Sequence, residues 1–226
     1  MGLLIGAIVG ILVIGIIYLS SDVEKKDLRE KHLKGLCHLL HATREEIVGR
    51  QNSFVLRFEY RGIPFWYEDI EDKVFDKVSY HGFLRVNLPV HFNVVFTENI
   101  KSAFRSAPAA LAQASSASET NHVESPRGFQ EFSIFSNRPD AAQKLLADDA
   151  VVRVFAKFKN KDVRGKPEMA LEIVDGVLLL KFHPLGQQLE PTIFDLRNNT
   201  ALIEDFLEDM LVVCRRMDKV AQEIIN

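Results

Sequence analysis

The segment CHLLHATRE, residues 37–45, is the nearest approach in this chain to a cluster of metal ligands. On a helix, Cys37 and His41 stand four apart, as do His41 and Glu45, and side chains at that spacing share a face. His38, three residues before His41, would add another donor. A closed zinc site takes four ligands, and no second cluster accompanies this one. Surface or packing roles are therefore expected, and no metal site is assigned.

Four carboxylates, Glu68, Asp69, Glu71 and Asp72, lie close together and could in principle do acid-base work. A run of acids beside a hairpin is ordinarily a solvated turn, which is the expectation here. Trp66 stands between Phe65 and Tyr67, so in a strand the alternate rings point to opposite faces. At least one large ring is then either a contact site or covered by another part of the fold. Aromatic rings generally bury, which favours the covered state.

Other chemistry has no residues to carry it. Outside the first twenty positions the glycines are isolated, and a phosphate cradle needs several together so that successive amides converge on one anion. There is no G-x-S-x-G, H-E-x-x-H or C-x-x-C. No catalytic residue and no cofactor is expected, and a non-enzymatic role is favoured. With 28 basic against 31 acidic residues, nothing in the charge balance points to nucleic acid.

The elements that would position any site begin with MGLLIGAIVGILVIGIIYL. From Met1 to Leu19 there is no charged side chain. About 19 residues at ~1.5 Å rise span roughly 28 Å, close to a bilayer's hydrocarbon thickness. A cleaved signal peptide would want a basic start and small residues before the cut, and neither is present. Residues 1–20 are read as a single-pass transmembrane anchor. Lys25, Lys26, Arg29, Lys31 and Lys34 follow it, so the positive-inside rule places the body in the cytoplasm and a short N-terminus outside. Two distant cysteines, Cys37 and Cys214, suit a reducing compartment. Gly2, Gly6 and Gly10, spaced by four, form a doubled small-x-x-x-small motif that lets helix backbones approach closely. They are the candidate helix-association residues.

Beyond the anchor, residues 21–49 read as a juxtamembrane helix, with Leu28, Leu36, Leu39, Leu40 and Ile47 at helical spacing and Gly49 as its stop. Residues 50–98 form a first β-rich part. It contains the hairpin SFVLRFEYRGIPFWYEDI, turning at Arg61-Gly62, and strands at 78–86 and 90–96. Residues 99–127, rich in Ser and Ala, read as a flexible linker. Residues 128–226 form an α+β part. In it are a strand at 129–135, a helix starting near Pro139, and VVRVFAKFK, which suits a short helix or a strand. A hairpin around Asp175-Gly176 follows. The last element, TALIEDFLEDMLVVCRRMDKVAQEII, is an amphipathic helix capped by Asn199 or Thr200. The fold class is α+β: a transmembrane helix, then a mixed, mainly antiparallel sheet domain with a long C-terminal amphipathic helix.

From Phe54 onward this order of features resembles a group of uncharacterised bacterial membrane-anchored proteins, known as domains of unknown function. The resembling residues are FVLRFEYRGIPFWY, FQEFSIFSNRPDAAQKLL, and LEIVDGVLLLKFHP followed by a terminal helix. In that group a strand F-x-x-x-F-x-V-x-S runs into a helix beginning near D-P or R-P. Here Phe129 and Phe132 are three apart, Ile134 stands where Val is usual, and there is one span where many members have two. The resemblance implies membrane anchoring and no activity, cofactor or catalytic residue.

Residues and resemblance together lead to an expectation: a single-pass protein of the inner (cytoplasmic) membrane whose cytoplasmic domain acts as an interaction or assembly module. Its partners would be the lipid bilayer and other copies or other membrane proteins. A lipid-handling domain and a hydrolase with a dispersed site are the alternatives.

Overall fold

The structure is a computed structural model describing residues 27, 29–31, 33–74, 77–98, 121–161, 165–182 and 200–225. They belong to two compact units, Met1–Ala42 and Thr43–Asn226. No described helix is long and apolar enough to cross a membrane. The apolar stretch 1–20, with Gly2, Gly6 and Gly10, lies outside the described residues.

In the first unit, helix α1 is described at residues 27, 29–31 and 33–39. Its end is set by His41, whose φ of 49° places it in the left-handed region. The Ala42 amide reaches back to the Cys37 carbonyl at 2.9 Å, the six-to-one bond of a Schellman motif. The helix expected to continue to residue 49 therefore stops ten residues earlier in the sequence, and the next segment becomes a strand.

The second unit is built on a six-stranded antiparallel sheet, in the order β1-β2-β3-β4-β11-β10. Its strands are β1 (Thr43–Glu46), β2 (Phe54–Tyr60), β3 (Ile63–Val74), β4 (Lys77–Asn87), β10 (Leu171–Val174) and β11 (Val177–Phe182). Two of the hairpins have two-residue turns, Arg61-Gly62 and Asp175-Gly176. All four of these residues have φ between 50° and 79°, as a type I′ turn requires and as suits a right-twisted ribbon. Strand β11 pairs with β4, Leu178 opposite Val86 and Leu180 opposite Leu84. The two halves of the chain thus share one sheet.

A three-stranded sheet, β5-β7-β6, comprises β5 (Val95–Glu98), β6 (His122–Val123) and β7 (Phe132–Phe135). A bridge between Val94 and Ile173 joins its approach to β10. Residues 121–127, the end of the stretch read as linker, belong to this fold: Val123 is buried and pairs with Ile134. Before the hairpin at Asp175-Gly176 stands a separate short strand, β9 (Pro167–Met169), which pairs with β8 (Lys159–Lys161).

The helices are α2 (Pro139–Leu146), α3 (Asp149–Lys157) and α4 (Thr200–Ile225). Pro139 sits at the start of α2, where its missing N–H costs nothing. Asp148 caps α3, accepting from the amides of Ala150 and Val151. Thus VVRVFAKFK is helical, with Val151, Val154 and Phe155 on its buried face. Helix α4 packs against both α2 and α3. It buries more than the single stripe its sequence suggested: Leu207, Leu211, Val213 and Val220 are buried along with Met210, Cys214 and Met217. The inner face of the large sheet is equally apolar, with Leu56, Phe65, Leu84, Val86, Leu178 and Leu180 all buried. A second cluster gathers Phe96, Phe129, Phe132 and Phe155, whose ring centroids lie 5.2–6.3 Å apart.

Candidate functional site: a groove on the outer sheet face

Residues in a strand alternate between faces, so the residues between the buried positions of β2, β3 and β4 form the outer face. The register sets Arg57 opposite Trp66, and Trp66 opposite Arg85. One row across three strands is therefore arginine, tryptophan, arginine. The neighbouring row runs Glu45, Val55, Glu68, Phe83.

All of these residues except Phe83 line a groove of about 500 Å³. Val55 and Ile70, each 8 % exposed, lie low in it, with Trp66 half-buried beside them. Along one margin runs the loop after β1, Ile47-Val48-Gly49-Arg50. Val48 there is 99 % exposed, an apolar side chain left entirely in water.

Each arginine is held by a glutamate of an adjacent strand. Arg57 Nε donates to Glu45 Oε2 at 3.1 Å, and Arg85 Nη2 lies 2.8 Å from Glu68 Oε2. Fixing a guanidinium this way removes rotamer freedom before anything binds, which lowers the cost of later contacts. Arg85 Nε is buried and has no acceptor among the described residues.

The four carboxylates expected at a solvated turn instead lie within β3, and alternation separates them. Glu68 faces the groove, while Asp69 and Glu71 are buried on the other side of the sheet. Asp69 accepts from the Tyr67 hydroxyl at 3.4 Å, and Glu71 accepts from Asn52 at 3.2 Å. The carboxylates do not converge on a common point, and Glu68 is already engaged by Arg85. The side chain of Asp72 lies outside the described residues.

The outward ring of Phe65-Trp66-Tyr67 is that of Trp66, which is half-buried rather than fully covered. Phe65 and Tyr67 are each 1 % exposed on the inner face, which leaves Trp66 on the outer one with water access. The CHLLHATRE segment is also rearranged. Cys37 and His38 are helical, His41 is the left-handed residue that ends the helix, and Glu45 belongs to β1. The four-residue spacing therefore does not give His41 and Glu45 a common helical face. Among the described residues, no three His, Cys, Asp or Glu side chains are grouped to hold a metal.

Sequence reasoning did not single out Arg57, Arg85 or Val48. A signal for the first was present. Counting outward from the Arg61-Gly62 turn sets Tyr60 against Ile63, and so Arg57 against Trp66.

No protein-family model, curated protein or solved structure matches this chain. The functional reading rests on the groove and on the sequence that precedes the domain.

Proposed function

We propose that the chain is a membrane-anchored interaction module. Residues 1–20 are its single-pass anchor at the cytoplasmic membrane, the body lies on the cytoplasmic side, and the outer-face groove receives a protein partner. The observation that carries this is the half-buried Trp66 between two arginines that glutamates hold in place. Tryptophan and arginine are the residues that most often dominate protein interfaces, because each combines a large apolar surface with a directional polar group. Gly2, Gly6 and Gly10 supply a second contact within the bilayer. The lipid-handling alternative needs an apolar cavity between sheet and helices. The phenylalanine cluster fills that kind of space with tilted and edge-on rings.

The test is the mass and composition of full-length protein extracted from its native membrane in mild detergent. A discrete particle larger than one chain is expected, and Trp66→Ala or Gly6→Leu should reduce it. A lone monomer with no companion overturns the reading.

A further inference from the structure

We infer that the occupant of the groove is a second copy of this chain, with the two 46–50 loops seated reciprocally in each other's grooves. This rests on the interaction-module reading and names its partner.

Three observations point to self-recognition. The first is apolar fit. Val48 projects fully into water at the margin of a groove lined by Val55, Ile70 and Trp66. A knob and a hole on one patch satisfy each other only between two copies, because a two-fold axis through the patch brings each loop to the other's groove. A groove of about 500 Å³ accepts several side chains.

The second is charge. Glu45 and Glu68 are already committed to Arg57 and Arg85. That leaves Glu46 and Arg50 in the groove lining, with no ion pair among the described residues. One negative and one positive group on the same short segment are complementary to their own two-fold image: Arg50 of each copy meets Glu46 of the other. A partner of one dominant charge would instead find the groove's glutamates and arginines evenly matched against it.

The third lies in the sequence. The Gly2, Gly6, Gly10 spacing favours close approach of two anchors in one membrane. Two chains associated there have their bodies on the same side, at a high effective concentration, so a modest domain contact is enough.

The experiment uses the full-length chain in detergent, mixing unlabelled and heavy-isotope-labelled protein. A photocrosslinking residue, p-benzoylphenylalanine, replaces Val48. Mixed-isotope crosslinks from residue 48 to the β2–β3 hairpin are expected. Glu46→Arg should lower their yield about tenfold or more, the loss corresponding to about 1.4 kcal/mol of contact energy. Glu46→Arg combined with Arg50→Glu should restore it, since both copies exchange signs together. A misfolded variant would not be rescued in this way, and neither would a pairing with a different protein.

Crosslinks from residue 48 to another protein would overturn the inference and leave the interaction-module reading standing. An oligomer by mass whose residue-48 crosslinks stay within one chain would also overturn it, assigning association to the anchor. A lone monomer would remove both.

Discussion

Lys157 of α3 holds Asp209 of α4 through both carboxylate oxygens, at 2.6 and 2.8 Å. The two partners are unequal in setting: Asp209 is 8 % exposed, whereas the lysine side chain is more than half in water. Removing the lysine strands a buried carboxylate, while removing the aspartate frees an amine that solvent accepts. Lys157→Ala should therefore cost about 1–3 kcal/mol and Asp209→Ala clearly less of the polar penalty. Urea unfolding of the two variants checks the order.

A β-carbon placed on Gly82 would stand 2.5 Å from the Tyr67 hydroxyl oxygen and 2.9 Å from its ring. Tyr67 is 1 % exposed and bonded to Asp69, so it has little room to retreat. Gly82→Ala should destabilise by about 1–3 kcal/mol, the range for overpacking a filled core. Combining it with Tyr67→Phe, which removes the nearest atom, should recover part of the loss in the melting temperature.

Neither cysteine is in a disulfide, and they differ in setting: Cys37 is half-buried and Cys214 buried. Burial, with the charge of Asp218 adding to it, pushes the Cys214 thiol from 9.0 up to about 12. At a given pH that lowers its thiolate fraction on the order of a thousandfold, so iodoacetamide should label Cys37 first and Cys214 only on unfolding. Because the folded state holds this proton more tightly, the associated stability is present below pH 9.0 and declines above it. Mass spectrometry of timed alkylation reads both sites.

Lys159 lies 2.6 Å from Glu131 and also donates to the Gly128 carbonyl at 2.7 Å. Burial works to raise the Glu131 pKa, but the hydrogen bond and charge of Lys159, with a backbone bond, carry it below its usual 4.5. A depressed carboxylate stabilises the fold above its unfolded pKa and loses that contribution as pH falls through the folded value. Lys159→Ala should thus flatten the acid side of a plot of melting temperature against pH. An unchanged slope below about pH 4.5 would assign acid sensitivity elsewhere.

Much of the sheet was legible because its turns announce themselves. Arg61-Gly62 and Asp175-Gly176 fix two hairpins and their registers from sequence. The placement of Arg85 was not legible in that way. Between Val74 and Lys77 the sequence offers only Asp76 as a turn-forming residue, without the glycine that marks the other two hairpins, so it sets Trp66 against Arg85 only weakly. Asp69 and Glu71 misled for a related reason. A carboxylate buried in a strand looks like one in a solvated loop until its hydrogen bonds are known, here from Tyr67 and Asn52. The overrun of α1 has another source. Its leucine spacing continues past residue 39, while the left-handed turn at His41 leaves little trace in residue type.

The pairing of β4 with β11 has a consequence for the chain during its synthesis. Strand β4 leaves the ribosome before its neighbour on that side, and about 90 further residues, or on the order of 5–20 s of elongation, follow before β11 appears. Throughout that interval the newly made half presents a bare backbone edge rich in Phe83, Leu84 and Val86. Nascent chains stalled within the Ser- and Ala-rich stretch should therefore be the species that chaperones hold, and chains released after Phe182 the first able to close the sheet.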